Sequence, residues 1–212
     1  QISEVLTHTG FVYSNLGEYN TAVEKLNEAM EISKEGGDKN GVAGAYNNLG
    51  IVYQDAGRLE KAKEYFDNSL QAYVELGDQL NEISALNNIG IVYFHLSDYS
   101  KAAEYHVKGL ERSLKIEDKD SEAHCLLNLG NDLLRIGMQE ESMSNYEKAL
   151  EIAQSLNSPE LIWKTIAGMA ENNEMRGEFE KAVELNDTAL KFLDGIRSTL
   201  KDDKLKASFI AA

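Results

Sequence analysis

Apolar and polar positions along this chain follow a helical spacing that is broken at regular intervals. From Lys39 to Ala56, and again from Leu59 to Leu76, apolar side chains recur three and four residues apart, which is typical of amphipathic helices. Gly57-Arg58 separates these stretches, and Gly77-Asp78 ends the second. Glycine suits the left-handed residue that ends a helix, and aspartate suits the cap of the next helix. No stretch shows the alternation of apolar and polar residues that is typical of a β-strand, so the pattern predicts an all-α chain of paired helices.

The helix pair recurs with a period of 40 residues, which is the step from Gly50 to Gly90. The segment Asn47 to Tyr53 returns almost unchanged as Asn87 to Tyr93, and looser copies precede and follow. A fixed period of this size is typical of solenoids. We therefore predict an α-solenoid of five helix-turn-helix repeats, each with a helix A and a helix B. The predicted repeats are 1–37, 38–77, 78–117, 118–157 and 158–200, followed by a further helix or linker at 201–212. The predicted breaks fall at Gly17, Gly57, Ser97, Gly137 and Gly177 within repeats, and near Gly37, Gly77, Glu117 and Asn157 between them.

Glycines inside helix A need a reason, because a glycine in mid-helix costs about 1 kcal/mol relative to alanine. An alanine follows twelve residues after most of them, as Ala62 follows Gly50 and Ala102 follows Gly90. We expect these small residues to face each other where helix A crosses helix B.

The repeated residues resemble a known family. Leu-Gly-x-x-Tyr in helix A, followed by Gly-x-Leu/Tyr-x-x-Ala and an aromatic residue in helix B, is similar to the tetratricopeptide repeat, in the longer-period form of kinesin light chains, LGN-type adaptors and bacterial signalling proteins. The resemblance implies a right-handed superhelix whose concave wall is built from the A helices. It also implies a scaffold or sensor module that binds a protein or peptide segment in that groove, with no catalytic residue and no cofactor.

The C-terminal segment from Leu193 to Phe209 resembles the linker between such repeats and a CHAT peptidase domain in bacterial proteins. The chain also begins inside a helical pattern, without methionine, so we interpret it as a piece of a longer protein. An alternative function is therefore the regulatory region of a multidomain enzyme, such as a peptidase, kinase or cyclase. A third possibility is self-association through exposed ends.

The net charge of −15 repels phosphate backbones and anionic lipid, which disfavours nucleic acid and membranes as partners. Two explanations of the charge stay open: solubility of an exposed helical array, or a basic partner. The single cysteine, Cys125, excludes an internal disulfide and fits a reducing, cytoplasmic compartment. We expect it to be a core residue, and we expect His106, which takes the place of Phe66 and Tyr146, to pack between helices. No metal-ligand spacing stands out in the sequence.

The candidate binding residues are polar side chains on the groove face of helix A. Asn48, Asn88 and Asn128 stand at equivalent positions, two residues before each glycine. An asparagine amide can meet both the N–H and the C=O of an extended peptide, and the row resembles the asparagine ladder of peptide-binding repeat proteins. The predicted neighbouring contacts are Asn47, Asn87, Asn131, Gln54, His95 and Arg135, with apolar pockets near Phe11, Ile51, Ile91 and Phe94. Clamping of a C-terminal carboxylate is disfavoured, because we expect no lysine or arginine on the first three A helices.

Overall fold

The computed structural model describes the backbone of residues 2–199 and the side chains of residues 2–195. This part of the chain forms ten α-helices and no strand, which confirms the all-α repeat architecture. The predicted helices of the second repeat are observed as Lys39–Asp55 and Leu59–Leu76. The ten helices are α1 (Ile2–Asn15), α2 (Tyr19–Glu35), α3 (Lys39–Asp55), α4 (Leu59–Leu76), α5 (Gln79–His95), α6 (Tyr99–Ile116), α7 (Lys119–Ile136), α8 (Gln139–Ser155), α9 (Pro159–Met175) and α10 (Phe179–Thr199). The predicted further helix or linker at 201–212 lies outside the described residues, as does most of the segment that resembles a CHAT linker.

The chain divides into two compact units, Gln1–Ser121 and Glu122–Ala212. In the first unit, three helix pairs stack through alternating contacts of α1 with α2, α3 with α4, and α5 with α6, joined by α2 on α3 and α4 on α5. In the second unit, α9 packs against both α8 and α10. The odd-numbered helices are the predicted A helices, and the even-numbered ones are the B helices.

Each predicted break is a residue with left-handed backbone. At Gly57 the φ angle is 70°, and at Gly77 it is 69°. Aspartate caps follow where they were predicted: the Asp38 carboxylate accepts a hydrogen bond from Gly41 N at 2.9 Å, and Asp78 accepts one from Asn81 N at 3.1 Å. The same backbone conformation is forced on three residues with side chains, Ser97, Glu117 and Asn157. The helix boundaries therefore follow from local turn chemistry that recurs in phase.

The glycines of helix A contact large side chains, which corrects the expectation that they face alanines. The nearest atoms to a Cβ built on Gly50 belong to the Phe66 ring at 2.6 Å, and on Gly130 to the Tyr146 ring at 2.6 Å. His106 is equally close to Gly90, and Leu26 lies 2.8 Å from such a Cβ on Gly10. These partners follow the glycine by sixteen residues, one helical turn beyond the predicted alanine. The alanines are buried beside them, but the glycine makes room for the larger side chain.

In the second unit, one aromatic ring packs against glycines of two helices. Tyr146 is fully buried, and its ring would lie 2.7 Å from a Cβ placed on Gly168 of α9 as well as against Gly130 of α7. Gly168 stands where the second, third and fourth repeats carry the asparagine of the predicted ladder. A side chain at this position would collide with Tyr146, so the fifth repeat has no room for an asparagine of the predicted ladder.

Replacing Glu117 by glycine should stabilise the protein by about 1 kcal/mol, because a left-handed residue with a Cβ carries a penalty of roughly 1–2 kcal/mol. The reciprocal change at the equivalent position, Gly77→Glu, should destabilise by a similar amount. Chemical denaturation followed by far-UV circular dichroism measures both. A lower stability for Glu117→Gly would contradict the assignment of this residue as a strained helix end.

Two glycines of α3 provide a matched test of the close helix contact. Gly50→Ala should cost about 1–3 kcal/mol of unfolding free energy, since the new methyl overlaps the Phe66 ring. Gly44→Ala should instead stabilise by up to about 1 kcal/mol, because its Cβ would meet only the Tyr73 hydroxyl at 3.8 Å and alanine is the better helix former. Equal effects of the two substitutions on thermal unfolding would show that the ring contact is unimportant.

Candidate functional site

Four of the predicted asparagines lie on neighbouring A helices of the first unit. Asn47 and Asn48 lie on α3, Asn87 and Asn88 on α5, and all four side chains are half-buried. The Asn88 amide donates a hydrogen bond from Nδ2 to Asn47 Oδ1 at 3.0 Å, which ties the second repeat to the third. Asn88 therefore keeps one N–H and its carbonyl oxygen for other partners.

Asn48 differs from Asn88, because its side chain makes no hydrogen bond to any other residue that the structure describes. It borders a cavity of about 330 Å³ between α1 and α3. Phe11 and Ile51, two of the four residues near which apolar pockets were predicted, line this cavity. The remaining lining residues are Thr7, His8, Ser14, Leu26, Val52 and Asp55. A polar amide with free donors and acceptor thus stands beside an apolar recess.

The cavity has an apolar wall and an acidic edge. Leu26 and Val52 are buried, whereas the Asp55 side chain is exposed. Ser14 is the one described residue that hydrogen-bonds to Asp55, with Oγ donating to Oδ2 at a long 3.4 Å. Sequence reasoning missed Asp55 as a site residue. Asp55 follows Asn48 by seven residues, or about two helical turns, so both residues lie on one face of α3. This spacing could have identified Asp55 from the sequence.

Gln54 and His95 lie on the same two A helices as the asparagines. The Gln54 side chain is half-buried, and its Oε1 atom is shielded from solvent with no hydrogen-bond partner among residues 2–195. The His95 side chain is exposed, and its ring packs edge-on against Phe94 with the ring centroids 6.1 Å apart. The exposed His95 ring is therefore accessible for the polar contact predicted for it, whereas the shielded Gln54 Oε1 is not.

In the second unit, Asn131 and Arg135 on α7 make polar contacts within the protein. Asn131 Oδ1 accepts a hydrogen bond from the Tyr146 hydroxyl at 2.8 Å, and burial raises the pKa of that hydroxyl. Arg135 Nη1 forms an ion pair with Glu171 Oε1 at 2.7 Å. Asn128 is half-buried. The binding roles of these three residues stay predictions.

Other residues singled out in the sequence have structural roles. His106 and Cys125 are each about 1% exposed, which confirms that both are packed inside the helical layers. One expectation was wrong: Lys39 is the first residue of α3, so the first three A helices do carry one lysine. No group of three or more acidic, histidine or cysteine side chains in the described residues is arranged to hold a metal ion. Among the same residues, no helix combines the length and apolarity that a bilayer crossing requires.

The family model of the tetratricopeptide repeat matches residues 1–73, 41–115 and 81–155, which together cover most of the chain. The chain belongs to the tetratricopeptide repeat family. Tetratricopeptide repeats are non-catalytic scaffolds, so these 212 residues form a protein–protein interaction module rather than an enzyme. No curated relative matches the chain with significance.

Solved structures with this repeat fold superpose on nearly the whole chain. BtubC (BKLC) from P. vanneervenii has a TM-score of 0.80 at 21% identity, with 94% of this chain and 82% of that one covered. A signal transduction ATPase with a tetratricopeptide repeat sensor from Pyrococcus horikoshii has a TM-score of 0.79 at 22% identity, with 92% of this chain but only 30% of that one covered. A Rap protein complexed with competence and sporulation factor has a TM-score of 0.78 at 17% identity, with 89% and 53% covered. At these identities the likeness establishes the fold alone.

Proposed function

We propose that the A helices of the first unit hold an extended segment of a protein partner, with an apolar side chain of the guest in the cavity beside Asn48. The observation that carries this proposal is the Asn48 amide, which has no partner in the described part of the chain and lies at the edge of a cavity of about 330 Å³. The cavity is large enough for an apolar side chain, and its walls are predominantly apolar. Burial of such a side chain supplies the affinity, since full burial contributes about 1.5–3 kcal/mol.

The asparagines supply contacts that do not depend on the guest's sequence. Asn48 offers two donors and one acceptor, so it can pair with both backbone groups of one guest residue. Asn88 contributes its remaining N–H and carbonyl oxygen, held in place by the 3.0 Å hydrogen bond to Asn47. The other predicted contacts extend the same surface or act in the second unit: Asn87, Gln54 and His95 on α3 and α5, and Asn128, Asn131 and Arg135 on α7.

The edge of the cavity favours a basic residue next to the apolar anchor. Asp55 is exposed and has no ion-pair partner among the described residues. A lysine or arginine of the guest would gain from this carboxylate and from the protein's net charge of −15. The guest we propose is therefore a segment in which an apolar residue adjoins a basic one.

A second proposal places this module as the sensor part of a larger bacterial signalling protein in the cytoplasm. The Pyrococcus horikoshii ATPase carries a tetratricopeptide repeat sensor, and the match covers only 30% of that longer chain. In that setting the guest segment controls a peptidase, kinase or cyclase domain of the parent protein. Limited proteolysis of the parent protein with and without the selected guest peptide tests this, because an unchanged cleavage pattern would argue against coupling.

Asn48→Ala should weaken the binding of guest peptides about tenfold, because it removes one to two hydrogen bonds to the peptide backbone. Peptides would first be selected from a random-sequence phage-displayed library on the wild-type chain. Isothermal titration calorimetry then measures their affinity for wild type and variant. Asn68→Ala, an exposed asparagine on α4, is the matched control and should bind as wild type does. If the selected peptides bind Asn48→Ala and Asn68→Ala with equal affinity, Asn48 is not part of the binding site.

Asp55→Asn should reduce the affinity of a selected peptide only when that peptide carries its basic residue. The charge pair is exposed, so we expect a loss of no more than about fivefold, shrinking as salt rises. A double-mutant cycle of Asp55→Asn against lysine-to-glutamine in the peptide measures the coupling. A coupling of zero at low salt would rule out the basic neighbour while leaving the apolar anchor and the Asn48 contact intact.

A further inference from the structure

A second cavity of the first unit, of about 430 Å³, lies between the C-terminal ends of α2 and α4 and the N-terminal end of α3. Val42, Ala72 and Leu76 form its apolar part, and each of them is half-buried. No residue lines both this cavity and the one beside Asn48. Small-molecule sites have volumes of about 300–1,000 Å³ and are mostly apolar with a few polar groups. The remaining lining residues are Ser33, Lys34, Gly37, Asp38, Lys39 and Glu75.

The space is left open by short side chains that belong to the second repeat. The residues 40 positions after Val42 and Ala72 are Glu82 and Arg112 of the third repeat. These two longer side chains form an ion pair, with Arg112 Nε and Glu82 Oε1 3.0 Å apart. Valine and alanine cannot span the same distance or pair in this way. The cavity is therefore a feature of the residues of this repeat and is not required by the repeat fold.

The edge of the cavity carries charges of both signs that are open to a ligand. The exposed Lys39 side chain makes no ion pair or hydrogen bond with any other described residue. Asp38 and Glu75 each use one carboxylate oxygen within the protein and keep the second oxygen, whereas Lys34 is already paired. Asp38 Oδ1 accepts from Gly41 N at 2.9 Å, Glu75 Oε1 accepts from Gln71 Nε2 at 3.0 Å, and Lys34 Nζ donates to Glu31 Oε1 at 2.8 Å.

We propose that this cavity binds a free amino acid with an apolar side chain. The ligand's side chain lies against the apolar part of the cavity, its α-carboxylate pairs with Lys39, and its α-ammonium contacts the second oxygens of Asp38 and Glu75. A zwitterion matches both signs of charge at the edge. It also has no net charge, so the protein's charge of −15 does not repel it as it would repel a carboxylic acid. The proposal uses no residue of the peptide site beside Asn48, so each can fail without the other.

Titration of the isotope-labelled 212-residue chain with L-leucine, followed by NMR, tests this proposal. The backbone amide of Gly37, which lines the cavity, should shift to saturation, whereas that of Gly57, in a turn outside the cavity, should not. Isoamylamine is leucine without its carboxylate, and isocaproic acid is leucine without its ammonium group. Each should bind about fivefold more weakly than leucine, because one exposed charge pair is lost. N-acetyl-leucinamide, which represents an internal residue of a polypeptide, should also bind more weakly.

Two variants copy the third repeat into the cavity. Lys39→Gln introduces the residue found at Gln79, and should weaken leucine about fivefold while leaving isoamylamine unchanged, since the amine has no carboxylate. Val42→Glu combined with Ala72→Arg should rebuild the ion pair in the open space and abolish binding, with an unchanged far-UV circular dichroism spectrum. Lys115→Gln, which changes an exposed lysine of α6, is the control and should bind leucine as wild type does.

Three results would overturn the proposal. The first is the absence of a saturable Gly37 shift at the solubility limit of leucine. The second is equal affinity for leucine and N-acetyl-leucinamide, which would indicate that the cavity takes a side chain from within a polypeptide. The third is a loss of isoamylamine binding by Lys39→Gln as large as the loss of leucine binding, because the lysine would then not recognise the carboxylate.

Discussion

A glycine in helix A lets one large side chain of helix B pack directly against the backbone of helix A. The rest of the structure depends on this close contact. Leu26, Phe66, His106 and Tyr146 take this place in successive repeats, although their chemistry differs. The distance between two packed helices is set by the side chains at their contact. Because the glycine keeps the two helices of a repeat close together, it fixes the position of helix A relative to helix B. The spacing of the groove residues and the fit of one repeat on the next both follow from it.

Much of this fold could be predicted because its chemistry is local and recurs in phase. Helix ends follow from residues that accept a left-handed backbone and from the aspartates that cap the next helix, so Lys39–Asp55 and Leu59–Leu76 were predictable to within a residue. The partner of each glycine was not, because Ala62 and Phe66 lie one turn apart on the same face of α4. Periodicity identifies the face, whereas only the three-dimensional packing shows which side chain reaches across.

The repeated sequence also does not show which residues of the candidate site contact each other. Equivalent asparagines receive the same prediction from a repeated sequence, yet Asn88 is bound to Asn47 while Asn48 has no partner among the described residues. The difference arises because neighbouring repeats are not identical: the first repeat carries Thr7 where the second carries Asn47, and the Thr7 hydroxyl donates instead to the Ser3 carbonyl oxygen at 2.9 Å.

The single ring shared by Gly130 and Gly168 has a consequence for how the second unit is held together. Tyr146 packs against both α7 and α9. The fourth and fifth helix pairs therefore share one packing contact, and we expect a change that removes the Tyr146 ring to loosen both pairs together.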